Sequence, residues 1–189
     1  MSKERLTTFI DAVIAIIMTI LVLDLPHPVT MTWAGLWLLR ANFFSYALSF
    51  FWLGTMWVNM HNEWQTIKLI GKNTVWYSLI MLFFASLFPY TTSLVAEHFN
   101  NSVAQSLYGF VVLLVTLFNS LSYYSLLSIN QEQKKFYQQL VVRKQFMKWD
   151  IGIKLLGLVV AIWVWPPAMT GSVLLAAAFI LAYPNKRNE

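Results

Sequence analysis

The stretch RLTTFIDAVIAIIMTILVLDLP, residues 5–26, decides the fold class of this chain. Between Leu6 and Leu25 it carries only two charged side chains, Asp11 and Asp24, and Pro26 follows directly. A helix that crosses the hydrocarbon core of a membrane needs about 20 mostly apolar residues. The stretch therefore predicts a first membrane-spanning helix over residues 6–25.

The composition of the whole chain agrees with a membrane protein. Its 189 residues are 58% hydrophobic and 11% charged, with a mean hydropathy of +0.59. A soluble domain is typically about 25% charged, so this composition excludes a small soluble enzyme, and it is too apolar for a disordered chain. Cysteine is absent and only three histidines occur. We therefore expect a protein that is not an enzyme, with no catalytic residue, no bound metal and no cofactor.

Six apolar segments follow one another along the chain. They predict an all-α integral membrane protein, a single six-helix domain over residues 1–189, with spans at about 6–25, 33–60, 74–95, 103–129, 149–165 and 168–183. The pair Pro166-Pro167 separates the last two spans.

The basic residues fall on alternate sides of these spans. All except Arg40 lie before the first span, after the sixth, or near the connections between spans two and three and between spans four and five, with Lys154 just inside the fifth. Basic residues concentrate in cytoplasmic loops, so this pattern predicts that both termini are cytoplasmic. It also accounts for the net charge of +5 without a nucleic-acid partner.

One face of the first span is apolar throughout. At 100° per residue, Phe9, Ala12, Ile16, Ile20 and Leu23 form a narrow stripe, and Thr19 lies at its edge. A stripe of this kind either packs against other helices or lines a pore. Asp11 points about 140° away from the stripe on the same wheel.

Asp11 shares its expected depth with two hydrogen-bond donors of the second span. That span runs towards the cytoplasm, which places Trp57 and His61 near the level of Asp11. Because indole and imidazole N–H groups are good donors to a carboxylate, the sequence suggests a network that joins spans one and two. The alternative is that His61 lies at the water interface and contacts nothing.

The first span resembles the RxxxFSDAVxAIxxTxLxLxL signature of the transmembrane protein 175 family of potassium channels. The matching positions are Arg5, Phe9, Asp11, Ala12, Val13, Ala15, Ile16 and Thr19, and Ile10 stands where the signature has serine. Two further segments resemble the family pattern: Trp57 and His61 in WVNMH, and the run FPYTTSL over residues 88–94.

The resemblance implies a function and an assembly. Bacterial members of the family carry one six-helix repeat per chain and form homotetramers, and the first helices of four subunits line a central pore for K⁺. The resemblance assigns the narrow apolar constriction to Ile16, further pore lining to Ala12, Ile20 and Leu23, and the pore hydroxyl to Thr19. It places Arg5 with Asp11, Trp57 and His61 in the network between helices one and two. The expected location is the plasma membrane of a bacterium, with the lipid bilayer, K⁺ and further copies of the chain as partners.

Three other functions compete with a passive potassium-permeable channel. The same assembly could conduct protons or act as a secondary transporter, and flux against imposed K⁺ and H⁺ gradients separates these. The third is a non-conducting membrane scaffold.

Overall fold

The computed structural model describes residues 2–65, 67–130 and 134–182, and the side chains among these except 134–146 and 179–182. This part of the chain contains helices and no strand. The helices are α1 (Lys3–Leu23), α2 (Trp33–Leu38), α3 (Arg40–Trp64), α4 (Lys72–Ala85), α5 (Phe88–Glu97), α6 (Ser102–Ile129), α7 (Lys134–Trp163) and α8 (Ala168–Ala182).

Helix α1 begins before the apolar run because a serine caps it. The Ser2 hydroxyl accepts a hydrogen bond from the backbone N–H of Arg5 and satisfies one of the free donors of the first turn. One side of α1 is buried, and its members recur every three or four residues: Leu6, Ile10, Ile14, Ile17 and Leu21. This spacing is that of a helix that packs along one face only.

Two of the predicted spans consist of two helices each. The second predicted span breaks at Leu39 into the short α2 and the long α3, which continues to Trp64. The third breaks at Ser86 and Leu87 into α4 and α5, and Pro89 lies in the first turn of α5. Proline fits a first helical turn, where its missing N–H costs no helical hydrogen bond.

Helix α7 differs most from the sequence prediction. It begins at Lys134, whereas the fifth span was predicted to begin at 149, so the basic segment before that span is helical and not a loop. Hydropathy located the apolar part of this helix but not its polar beginning. The residues Val164–Pro167 separate α7 from α8. Tyr183, the last residue predicted for the sixth span, lies outside the described residues.

Helix α6 is the centre of the packing, since it contacts α4, α5, α7 and α8. Helix α1 lies against α3, α4 and α5. Stacked rings of Trp52 and Phe88, 4.9 Å apart, join α3 to α5. The Ser49 hydroxyl bonds to Thr92 of α5 at 2.8 Å and to Tyr108 of α6 at 3.2 Å, so three helices meet at one buried polar contact.

Side chains at the ends of two other helices hold the connection between α3 and α4 by hydrogen bonds. Lys3 donates from Nζ to the carbonyl of Ile67 at 2.6 Å. From the end of α6, Asn130 accepts from the backbone N–H of Leu69 at 3.2 Å and donates to its carbonyl at 3.0 Å. These bonds tie the connection to the start of α1 and to the end of α6.

Within the described residues, three segments are long and apolar enough to cross a membrane: Lys3–Leu23, Lys72–Glu97 and Ser102–Ile129. The second of them contains both α4 and α5. Ala168–Ala178 is a shorter apolar helix. The described part of the chain is therefore all-helical, and three of its segments have the length and composition of membrane spans.

Candidate functional site

The predicted pore-lining residues lie on the side of α1 that the rest of the chain leaves uncovered. Ile16 is 57% exposed, Ile20 39% and Leu23 78%, and Ala12 is exposed as well. The opposite side of α1 packs into the hydrophobic core of the chain. We call Ala12, Ile16, Ile20 and Leu23 the α1 apolar face. An uncovered apolar face of this kind needs lipid or another protein surface to cover it.

Thr19 lies beside the α1 apolar face and is exposed. Its hydroxyl donates a hydrogen bond to the carbonyl of Ile16 at 2.8 Å. Because the hydroxyl proton is used in this bond, the oxygen acts toward any further partner as an acceptor. An acceptor oxygen is the group that a cation requires.

Asp11 is fastened to α3 from the other side of α1. The indole Nε1–H of Trp57 donates to Asp11 Oδ1 at 2.7 Å, and both side chains are half-buried. A hydrogen bond to an ionised acceptor is about twice as strong as one between neutral groups. The bond therefore ties α1 to α3 at a defined point, without any contribution from the residue at position 10.

His61 and Arg5 lie apart from this bond. The His61 ring lies beside the Trp57 ring at 5.4 Å, and His61 Nε2 bonds to Gln65 at 2.9 Å. Among the described residues neither His61 nor Arg5 bonds to Asp11, and both are exposed. Of the predicted network, the described contacts therefore include the bond between Asp11 and Trp57, with His61 beside Trp57, and no direct bond from Asp11 to His61 or Arg5.

A cavity of about 140 Å³ opens at the same end of the molecule. Ile10, Met60 and Trp64 form its apolar part, and the polar residues Lys3, Thr7, Asp11, His61 and Gln65 complete its lining. No cluster of three potential metal ligands occurs in the part of the chain that the structure describes.

Sequence analysis missed a buried ion pair in α7. Lys154 Nζ lies 2.7 Å from Asp150 Oδ2, and Lys154 is 2% exposed. The sequence analysis placed Lys154 just inside the fifth span and counted it with the basic residues of the cytoplasmic side, but it did not predict that the side chain is buried or paired. The spacing of the two residues, four apart on one helix, was the available signal, since such pairs face each other on a helix surface.

Comparison with known protein families finds a match that includes the residues of α1 described above. The family model for the endosomal/lysosomal potassium channel TMEM175 matches residues 5–89. The matched region, residues 5–89, is similar to this potassium channel family over a little less than half of the chain. It extends from the beginning of α1 to the second residue of α5 and includes Asp11, Ile16, Thr19 and Trp57. TMEM175 is a channel family and not an enzyme family, in agreement with the sequence prediction.

Two curated bacterial relatives are described as potassium channels. A potassium channel of Chryseobacterium sp. (strain P1-3) is 41% identical over 106 residues, which are 55% of this chain and 55% of the relative. A potassium channel of Streptomyces collinus (strain DSM 40733 / Tue 365) is 31% identical over 121 residues, 60% of this chain and 59% of the relative. The matches thus span little more than half the length of these relatives.

A solved structure extends the comparison of the fold to nearly the whole chain. The crystal structure of a lysosomal potassium-selective channel TMEM175 homolog from Chamaesiphon minutus superposes with a TM-score of 0.73. The match covers 95% of this chain and 96% of that one, at 20% sequence identity. At this identity the match establishes that the two chains share a fold.

Proposed function

We propose that this chain forms a passive, potassium-permeable cation channel in the plasma membrane of a bacterium. Four copies assemble around a central pore that the α1 helices line. Each copy crosses the membrane six times and keeps both termini in the cytoplasm, and K⁺ permeates without any cofactor. The similarity of residues 5–89 to a potassium channel family and the names of two bacterial relatives support the choice of ion.

The observation that carries the proposal is the exposure of the α1 apolar face. In a monomer within lipid this face would be an ordinary lipid-facing surface. However, Thr19 lies beside it, and the signature residues Asp11 and Trp57 fix the rotation of the same helix by bonding on its other side. A helix whose rotation is fixed in this way presents one defined surface, as pore lining requires.

The proposed pore works through apolar and polar rings in series. Four copies of Ile16 form a narrow apolar neck, and a neck of this kind gates by excluding water. Four copies of Thr19 supply acceptor oxygens next to the neck, where a cation that has lost part of its hydration shell needs replacement ligands. Ile20 and Leu23 continue the apolar lining beyond Thr19.

The test is potassium flux from liposomes that contain the purified protein and are placed under a K⁺ gradient. Ile16→Asn is expected to wet the neck and raise the flux per protein several-fold. Val22→Asn is the matched control, because Val22 is also exposed on α1, at 47%, but lies away from the α1 apolar face. Equal effects of the two substitutions, or no effect of Ile16→Asn, would remove Ile16 from the pore.

Two further measurements in the same assay test which ion permeates. Thr19→Val keeps the shape of the side chain and removes its oxygen, so we expect the ratio of K⁺ to Na⁺ flux to fall. An imposed H⁺ gradient should leave K⁺ flux unchanged. Coupled movement of the two ions would indicate a transporter, and flux of H⁺ alone would indicate a proton channel.

A further inference from the structure

The ammonium group of Lys154 is held from three directions within the helix packing. Its Nζ lies 2.7 Å from Asp150 Oδ2, 3.1 Å from Thr116 Oγ1 and 5.1 Å from the centroid of the Trp52 ring. The Thr116 hydroxyl donates to the carbonyl of Val112 at 2.8 Å and therefore accepts from Lys154. Thus one carboxylate, one hydroxyl and one aromatic face surround the cation.

Asp150 and Lys154 differ in the number of groups that contact their charges. Asp150 Oδ1 is buried and has no hydrogen-bond partner in the part of the chain that the structure describes. The anion is therefore bonded through one oxygen, whereas the cation has three partners on three helices. If the pair served only to neutralise two buried charges, the carboxylate would need partners as much as the ammonium group does. The cation contacts one residue on each of three helices, whereas the carboxylate bonds to the cation of its own helix.

The cation bridges two helices whose backbones make little close contact, α7 and α3. The long side chain of Lys154 extends from α7 to the Trp52 ring of α3, and its bond to Thr116 adds α6. Trp52 in turn stacks on Phe88 of α5. Five residues after Trp52, α3 presents Trp57 to the carboxylate of Asp11. The bridge and the fastening of α1 therefore lie on the same helix, less than two turns apart.

We propose that Lys154 is a positioning residue of the channel. Its cation fastens α3 to α6 and α7, and this contact holds Trp57 at the correct distance from Asp11 of the pore helix. The cation must lie over Trp52, and an ion pair elsewhere in the same packing does not replace it. The link to conduction rests on the proposed channel function, whereas the cation site itself does not.

The first experiment compares the removal of the cation with its displacement along α7. Lys154→Met is expected to lower the thermal unfolding temperature in detergent by roughly 10 °C, because it leaves Asp150 buried and unpaired. Lys154→Arg, which keeps a cation of similar length, should recover most of this loss. The exchange of Asp150→Lys with Lys154→Asp keeps the pair but moves the cation one turn away from Trp52 and Thr116. We expect this exchange not to recover the loss, and full recovery would overturn the proposal.

The second experiment asks whether the site acts on the pore helix. Potassium flux per reconstituted protein is measured for Lys154→Met, for Asp11→Asn and for the two together. If Lys154 acts through the contact of Trp57 with Asp11, the double variant should retain at least about three times the flux expected from multiplying the single effects. Multiplicative effects would show that Lys154 serves stability alone and would overturn its positioning role.

A milder variant covers the case in which Lys154→Met does not fold. Thr116→Val removes one partner of the cation and preserves the shape of the side chain. Its combination with Asp11→Asn should again retain more flux than the product of the single effects, and multiplicative effects would overturn the positioning role of Lys154. If the native protein carries no K⁺ flux, the channel proposal fails. The unfolding temperatures of the first experiment then still decide whether the cation site exists.

Discussion

Replacing Trp57 by phenylalanine removes the indole N–H but keeps an aromatic ring against α1. The lost hydrogen bond is 2.7 Å long and ends on a carboxylate. A hydrogen bond to a charged group contributes about 1.5–3 kcal/mol to stability in water-soluble proteins. Interhelical bonds in membranes contribute about 1–2 kcal/mol in model peptides and less on average in double-mutant cycles, and both side chains here are only half-buried. We therefore expect Trp57→Phe to destabilise the protein by about 1–2 kcal/mol.

Thermal unfolding in detergent measures this loss. For a chain of this size, 1 kcal/mol corresponds to a shift of about 2–4 °C in the unfolding temperature, so the expected decrease is about 2–8 °C. Trp76→Phe is the matched control, because Trp76 is 56% exposed and makes no hydrogen bond among the described residues. That substitution should change stability by no more than about 0.5 kcal/mol.

A double-mutant cycle separates the hydrogen bond from the lost ring area. Asp11→Asn weakens the same bond by making its acceptor neutral, so its effect and that of Trp57→Phe should not add. The corresponding cycle between Asp11 and His61→Ala should show a smaller coupling, since these side chains do not bond and His61 reaches Asp11 only through the Trp57 ring. Additive effects of Asp11 and Trp57, or a Trp57→Phe effect no larger than that of the control, would refute the reasoning.

Two further predictions concern the packing outside α1. Gly157→Ala places a Cβ on the side chain of Ser172 in α8 and should destabilise by about 1–3 kcal/mol, whereas Gly152→Ala on the same helix meets nothing within 4 Å and should leave the unfolding temperature unchanged or raise it. Asn130→Ala removes both side-chain bonds to Leu69 and should speed hydrogen exchange in the connection between α3 and α4, with exposed Asn73→Ala as the control.

The sequence predicts the helical class and the rotation of α1 because both depend on local patterns. Apolar runs of membrane length reveal helices, and the spacing of Ile16, Ile20 and Leu23 separates one face of α1 from its buried side. The network around Asp11 could be predicted only from depth, which placed both Trp57 and His61 near the carboxylate and left open whether His61 contacts anything. Only the three-dimensional packing distinguishes a side chain that faces α1 from one that faces outward.

The sequence did not predict where a helix breaks or where it continues beyond an apolar segment. No proline or glycine marks the break at Leu39, so the second predicted span could not be divided from its residues. Helix α7 continues into a polar segment that hydropathy assigns to a loop. The burial of Lys154 was also not predictable from the sequence, since a lysine side chain near a membrane boundary usually extends toward water. Its burial depends on Trp52 and Thr116, which are 102 and 38 residues away in the sequence.

The departure from the family signature at position 10 is explained by the two sides of α1. Ile10 is 1% exposed and belongs to the buried side, whereas Ile16, which the signature shares, belongs to the uncovered side. Burying an aliphatic side chain of this size contributes about 1.5–3 kcal/mol relative to leaving it exposed. A serine hydroxyl in the same place would require a hydrogen-bond partner. Since Asp11 already receives its bond from Trp57, isoleucine at position 10 strengthens the packing of α1 against the subunit and leaves the α1 apolar face unaltered.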